Sequence, residues 1–181
     1  MGLDMHLEKT KKQEGKSFSL VVEELGKLPY REWKEKRIEI MYWRKANQIH
    51  AWFVSNVQDG NDDCDNYEIT KDTIEVLLKQ CKLVQEEFKK AKEVEGMVKN
   101  GSIWKKETGC WEDNMQKGIV FENLNTEKIL ELLPPTSGFF FGNTDINQWY
   151  FYDIEETIKG LEKVLKETDF ENYHVWYNSS W

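Results

Sequence analysis

Apolar and polar residues alternate in two short stretches near the start of the chain. Residues 2–8 alternate throughout, and in residues 37–42 Ile38 and Ile40 alternate with charged side chains. This period of two is typical of half-buried strands, so two strands are predicted. The apolar piece between them, residues 18–25, predicts a short helix that Gly26 and Pro29 end.

Helical spacing takes over after the second strand. The apolar positions of residues 43–56 fall on one face of a helix, and Asp59 with Gly60 ends the pattern. A second amphipathic helix is predicted from an N-cap at Thr70 or Asp72 to about residue 94. Its apolar stripe includes a cysteine, which we interpret as a core residue.

The second half of the chain predicts two more helices. Residues 126–133 form a short one, which the Pro134 and Pro135 pair terminates because the residue before a proline avoids helical geometry. Residues 146–168 form the longest and most regular one, with an apolar stripe opposite a face of Glu and Lys.

Three other segments have weaker patterns. Residues 96–125 contain scattered glycines and predict a loop or a flexible hairpin, and residues 137–142 a brief buried strand or tight turn. Residues 172–181 predict a closing strand. The order of elements indicates a single α+β domain, in which a small, mostly antiparallel sheet packs with three or four α-helices.

Charge and composition exclude several classes of function. The 181 residues carry a net charge of −8, which disfavours binding to duplex nucleic acid. No apolar run approaches the length of a membrane span, so no membrane association is predicted. The three cysteines lack metal-ligand spacing and suit a reducing cytoplasm. No P-loop or dinucleotide fingerprint occurs, so no cofactor is predicted.

The segment WRKANQIHAWFVSNVQDGNDDC mixes aromatic and polar residues at short spacing, which is typical of a pocket wall. On the predicted helix, Asn47 and His50 lie at the edge of the apolar face. If these side chains are buried they must be hydrogen-bonded, so they either brace the protein or face a cavity. Trp43 and Arg44 at the helix start are the other predicted ligand contacts, although an ion pair with a glutamate would explain Arg44 equally well.

The segment PTSGFFFGNTDINQWYFYD is the second block of this kind. Consecutive phenylalanines place rings on both faces of an extended chain, so at least one ring is expected to face away from the core. Phe139 and Phe140, with Trp149, are predicted to stack on a planar ligand. A buried central strand explains the phenylalanines at least as well.

The acidic loop after the helix predicted over residues 43–56 contains Asp59, Asp62 and Asp63. It is not a calcium loop, because Cys64 stands where the sharp-turn glycine belongs and Thr70 where the bidentate glutamate belongs. A divalent ion on the three aspartates is the less favoured interpretation, and helix termination the more favoured one.

The motifs together resemble a widespread family of small phage and prophage proteins of uncharacterised function. The resemblance lies in the start MGLDM, the runs WRKANQIHAWF and NVQDGNDDC, the block SGFFFG and the ending SSW. It spans nearly the whole chain, and the two stretches 9–36 and 96–125 are expected to vary in length and composition. The resemblance implies a setting in the host cytoplasm but no activity.

A phage accessory protein of this size is expected to counter host defence. An economical way to do so is to bind a nucleotide-derived signal of the defence system without transforming it. Two rivals stay open. One is a hydrolase for a nucleotide-like substrate, with His50 as base and Asp62 or Asp63 orienting it or holding a metal. The other is an inhibitor that uses Trp104, Trp111 and the acidic loop against a host protein. A homodimer is expected, since symmetric pairs are the commonest assemblies.

Overall fold

The computed structural model describes residues 2–138 and 141–181 and contains two antiparallel sheets and α-helices on both faces of the larger one. The strands of the larger sheet are β1 (Asp4–Lys11), β2 (Ile38–Arg44), β3 (Tyr67–Ile69) and β6 (Tyr173–Ser180), and β4 (Lys92–Lys105) and β5 (Cys110–Glu122) form a separate hairpin. The helices are α1 (Phe18–Gly26), α2 (Tyr30–Lys36), α3 (Asn47–Asn56), α4 (Lys71–Lys90), α5 (Thr126–Leu132) and α6 (Gln148–Glu167). The predicted α+β class is confirmed.

The order of strands in the larger sheet is β2-β1-β6-β3, and every pair is antiparallel. β6 is buried almost along its whole length, with Trp176 and Tyr177 on successive and therefore opposite faces. Such burial on both sides requires cover on both faces of the sheet. The structure supplies that cover from two groups of helices.

The smaller group packs on the Trp176 face of the sheet. Val21 and Leu25 of α1 enclose Trp176, and the guanidinium of Arg37 lies 4.7 Å from the ring of Trp33 in α2. The opposite face carries the main core, which α3, α4, α5 and α6 cover. Cys81 of α4 is fully buried in that core, as the sequence predicts, and burial raises the pKa of its thiol to about 12.

The boundary between β2 and α3 differs from the prediction. Trp43 and Arg44 do not begin the helix, because they extend β2 and pair with Met5 and Asp4 of β1. Lys45 then takes a positive φ of 60°, and α3 starts at Asn47. The apolar spacing on which the prediction rested begins after this turn, so it carried no information on the two preceding residues.

Three elements were not predicted as they occur. The helix α2 and the three-residue strand β3 lie in polar stretches without a periodic apolar pattern. Residues 96–125, interpreted as a loop or flexible hairpin, contain most of a long hairpin with one register shift between Lys99 and Ser102. The α4 N-cap at Thr70 and the helix α5 agree with the prediction.

The hairpin is tied to the core at the start of α6. Gln148 accepts a hydrogen bond from the backbone N–H of Ile119, and Asn147 donates to the carbonyl of Lys99 at 3.1 Å. Asn147 also caps α6 through the N–H of Trp149. One asparagine therefore fixes both the helix start and the position of the hairpin.

Among the helices of residues 2–138 and 141–181, none combines the length and the apolar character that a membrane span requires.

Candidate functional site

The two aromatic and polar segments are in contact, and Asn47 makes the connection. Its side-chain amide donates to the carbonyls of Phe141 at 3.0 Å and Asn143 at 2.8 Å. Its oxygen accepts from the N–H of Thr136 at 3.2 Å. Asn47 is 1% exposed, and these bonds use both of its donors. It therefore braces the second segment and, contrary to the prediction, lines neither of the cavities described below.

Trp43 is also a structural residue rather than a pocket wall. Its indole N–H donates to the hydroxyl of Thr157 at 2.8 Å, and its ring packs edge-on against Phe53. The hydroxyl of Thr157 in turn donates to the carbonyl of Asp153. Trp43 is buried by the helix α6, so it is not placed to touch a ligand.

His50 is fully buried, and both of its ring nitrogens have partners. Nδ1 lies 2.7 Å from the hydroxyl of Tyr177, and Nε2 lies 3.1 Å from a carboxylate oxygen of Asp62. A neutral ring donates from Nε2 to the carboxylate and accepts the phenol proton at Nδ1. Neither nitrogen is left for a substrate, which weakens the hydrolase hypothesis. Of the two candidate partners, Asp62 contacts His50, whereas Asp63 accepts from Tyr67.

The acidic loop does not gather into a cation site. Within residues 2–138 and 141–181, no group of three His, Cys, Asp or Glu side chains is placed to hold a metal ion. Asp59 has a positive φ of 51°, and the N–H of Gly60 donates to the carbonyl of Val54 at 2.9 Å. This geometry agrees with the interpretation of the loop as a helix terminator.

A cavity of about 390 Å³ lies beside His50 and Asp62. Its walls come from α3, from the segment that follows α5, and from the end of the chain after β6. They are His50, Ala51, Val54, Ser55, Asp62, Thr136, Ser137, Gly138, Phe141 and Trp181. The indole N–H of Trp181 donates to the second carboxylate oxygen of Asp62 at 3.0 Å.

A larger cleft, of about 840 Å³, lies between the hairpin and the start of α6. Its floor is the turn from β2 into α3 together with residues 142–147, and its outer wall is the hairpin. Cationic, aromatic and amide side chains share its surface, which is more polar than that of the cavity. Among its lining residues are Arg44, Lys45, Gln48, Lys99, Trp111, Asn143, Asp145, Asn147, Trp149 and Asp153.

The cleft brings together charges of both signs. Arg44 and Lys45 enter it from the β2–α3 turn, and Lys99 enters from β4, where it also pairs with Asp113 at 2.9 Å. Two carboxylates, Asp145 and Asp153, oppose these three cations. Because Asp113 already pairs with Lys99, Arg44 and Lys45 are the main positive groups of the cleft, in a protein of net charge −8.

Trp149, at the start of α6, lines the same cleft. Its indole nitrogen is buried, and among the described residues it has no hydrogen-bond partner. A buried donor without an acceptor costs about 1–3 kcal/mol. The partly exposed ring lines the cleft, whereas the buried nitrogen is out of reach of solvent.

Asp153 is the most perturbed acid of the cleft. Burial raises the pKa of its carboxyl from 3.8 to about 6, and only the amide of Gln48, 3.4 Å away, opposes this shift. The carboxyl therefore changes charge close to neutral pH. Asp153 can accept hydrogen bonds from a ligand when ionised and donate one when protonated.

This raised pKa makes the stability of the protein depend on pH. Between about pH 4 and 6 the folded protein binds a proton that the unfolded chain has released, so the free energy of unfolding falls as the pH rises. The side chain of Asp153→Asn cannot ionise, so the free energy of unfolding of this variant is expected to exceed that of wild type by about 1–3 kcal/mol at pH 7.5. At pH 4 the two proteins should agree, because both side chains are neutral. Urea unfolding at both pH values measures the difference, and an equal gain at both would contradict the prediction.

Several residues of the cleft escaped the sequence analysis. Lys99 lies in the hairpin, whose strands have no clear period, and Trp111 was predicted there only for contact with a host protein. Asp153 had a readable signal, since it lies three residues after Tyr150 and four before Thr157, both of which are buried on α6. A carboxylate within such a row is expected to be partly buried.

The predicted ligand contacts therefore divide into distinct groups. Arg44 and Trp149 line the cleft and His50 lines the cavity, whereas Trp43 and Asn47 belong to the core. Phe139 and Phe140 lie outside the described residues.

Comparison of the chain with protein-family models, with curated proteins and with solved structures gives no match.

Proposed function

We propose that this protein binds a small nucleotide-like anion in the cleft between the hairpin and α6. The observation that carries the proposal is the meeting of Arg44 and Lys45 with Trp111 and Trp149 in one space of about 840 Å³. Guanidinium and ammonium groups bind phosphate, and indole rings stack on a planar base. A volume of this size is ordinary for a small-molecule site.

The charge distribution supports a ligand with two chemically different parts. Arg44 and Lys45 are adjacent in the chain and exposed, so they can approach the same phosphate. Asp153 is half-buried in the cleft, and its carboxyl suits the polar edge of a base rather than a phosphate. A free phosphate or a free nucleoside would engage only one of these two sets.

Sequestration, rather than turnover, is the use of this site that we propose. The resemblance to phage proteins supplies the setting, in which a bound defence signal no longer reaches its receptor. The hydrogen bonds of His50 argue only against turnover by His50 in the separate cavity, since its two nitrogens are occupied by Tyr177 and Asp62.

Native mass spectrometry of protein purified from bacterial cytoplasm is the first test, with a retained nucleotide expected. Calorimetric titration with ATP, ADP-ribose and cyclic di-GMP then measures affinity, with adenosine and inorganic phosphate as half-ligands. At least one nucleotide is expected to bind about tenfold or more tightly than either half-ligand. Equal or absent binding of all five compounds would contradict the proposal.

Variants of the cleft sharpen this test. Arg44→Met with Lys45→Met is expected to weaken nucleotide binding about ten- to hundredfold, which is the worth of lost charge-assisted hydrogen bonds. Arg31→Met is the matched control, because Arg31 is exposed on α2 and does not line the cleft. If the double variant binds the nucleotide as tightly as the control does, the cleft is excluded as the nucleotide site. Recovery of a chemically altered nucleotide after incubation would favour the hydrolase instead.

A second candidate function is inhibition of a host protein through the hairpin. Trp104 and Trp111 form an edge-to-face pair across the two strands, with ring centroids 5.8 Å apart. They are 52% and 68% exposed, and large exposed aromatic side chains are enriched at protein interfaces. The variant Trp104→Ala distinguishes host-protein inhibition from nucleotide binding, because Trp104 does not line the cleft. Loss of a captured host protein with nucleotide affinity unchanged would favour this second function.

The expected homodimer stays a prediction. Light scattering after size-exclusion chromatography would measure the mass of the assembly directly.

A further inference from the structure

The cavity beside His50 has a different chemical character from the cleft. Its walls are largely apolar, with Ala51, Val54 and Phe141 among them. Among its lining residues in the described part of the chain, Asp62 is the one acidic side chain, and neither Lys nor Arg is present. A molecule in this cavity would therefore meet a negative group and hydrocarbon.

Two N–H groups hold the carboxylate of Asp62 in place. His50 donates to one oxygen at 3.1 Å, and Trp181 donates to the other at 3.0 Å. His50 is itself fixed by the hydroxyl of Tyr177. A carboxylate has about four acceptor positions, so two remain for a further donor. The side chain of Asp62 is 30% exposed, which leaves it accessible from the cavity.

Two aromatic rings line the cavity together with this carboxylate. The rings of Phe141 and Trp181 meet at 69° with centroids 6.1 Å apart, so they form a corner. The face of an aromatic ring attracts a cation, most strongly when water is excluded. An anion would be repelled by Asp62, and a neutral apolar molecule would strip water from the carboxylate without replacing it.

We propose that this cavity is a second binding site, which takes a small organic cation: an ammonium group on an apolar body. The ammonium group lies against Asp62, where it donates to the free acceptor positions of the carboxylate. The apolar body fills the space between Val54 and the ring of Phe141. A volume of about 390 Å³ is near the lower end of the range for ligand pockets, so the cation is small.

Benzylamine and benzyl alcohol are matched probes, because they share the apolar body and differ in the charged group. Calorimetric titration of wild type at pH 7.5 is expected to give a dissociation constant of about 1 mM or better for benzylamine. Benzyl alcohol is expected to bind about tenfold or more weakly, because it lacks the charge-assisted hydrogen bond to Asp62.

Asp62→Asn tests the role of the charge. The amide keeps an oxygen for Trp181, and its NH₂ group can donate to His50 once that ring takes its other tautomer, so the fold is preserved. This variant is expected to lose the preference for benzylamine over benzyl alcohol. Asp63→Asn is the matched control, since Asp63 is the next residue, is exposed and bonds Tyr67 outside the cavity.

Ala51→Leu provides a second test that leaves the charge untouched. The added side chain fills part of the cavity, so binding of both probes should fall together while thermal stability is followed as a control for folding. The proposal is overturned if benzylamine does not bind, if the two probes bind equally to wild type, or if Asp62→Asn keeps the preference. It is also overturned if Ala51→Leu binds both probes as wild type does.

Discussion

Asn47→Ala is expected to lower the free energy of unfolding by about 3–5 kcal/mol, one of the two largest effects we predict for a single substitution. The variant loses three hydrogen bonds and leaves the carbonyls of Phe141 and Asn143 and the N–H of Thr136 without their partner. The bond to Phe141 is buried and the other two are partly buried, and an unsatisfied buried group costs more than its bond contributes. Urea unfolding monitored by tryptophan fluorescence measures the change.

Two further variants make this prediction specific. Asn47→Asp keeps the acceptor for Thr136 but points an oxygen at two carbonyl oxygens, so at pH 7 it should be at least as unstable as Asn47→Ala. Asn61→Ala is the matched control, because Asn61 is exposed, and it is expected to change stability by less than about 0.5 kcal/mol. A loss of under about 1 kcal/mol in Asn47→Ala would mean that the connection between the two segments lies elsewhere.

His50→Ala is the second large effect, with an expected loss of about 3–5 kcal/mol. The substitution opens a space beneath Phe141, removes the hydrogen bond to the hydroxyl of Tyr177 and leaves the carboxylate of Asp62 with Trp181 but without its bond to His50. Tyr177→Phe removes only the first of these bonds and should cost about 1–3 kcal/mol.

The shared bond predicts how the two changes combine. Because His50→Ala already removes the partner of Tyr177, the double variant should lose less than the sum of the single losses. His6→Ala is the control: His6 is partly exposed and pairs with Glu39 on the surface, so its loss should cost less than about 1 kcal/mol. Strict additivity of the two changes would exclude the hydrogen bond between His50 and Tyr177.

The two segments could be singled out because both mix aromatic and polar residues at short spacing. A buried asparagine needs partners, and backbone groups outside helices and sheets, such as those of residues 135–138 and 141–143, can supply them. The role of each residue was harder to predict. A buried polar side chain needs a hydrogen-bond partner, and both a backbone group of the protein and a bound ligand can be that partner. Asn47 and Trp43 brace, whereas Arg44 faces the cleft.

Other features depend on long-range contacts that leave no local pattern. Trp43 and Arg44 extend β2 because β1 offers them a ladder of backbone partners, which no local pattern at these two residues indicates. Lys99 enters the cleft because Asn147, forty-eight residues away in the chain, anchors the hairpin. Such contacts follow from the assembled fold and not from spacing along the sequence.

The pairing of β1 with β6 has a consequence for how the chain folds. Asp4 pairs with Ser180, and β6 supplies Trp176 to one face of the sheet and Tyr177 to the other. Until β6 has been synthesised, neither hydrophobic layer can close around the aromatic side chain that β6 supplies to it. The helices can form early, but the sheet must wait for its most distant partner, so its completion is expected to be slow relative to helix formation. Nascent chains would meanwhile expose Leu3, Met5 and Leu7, all fully buried in the finished protein.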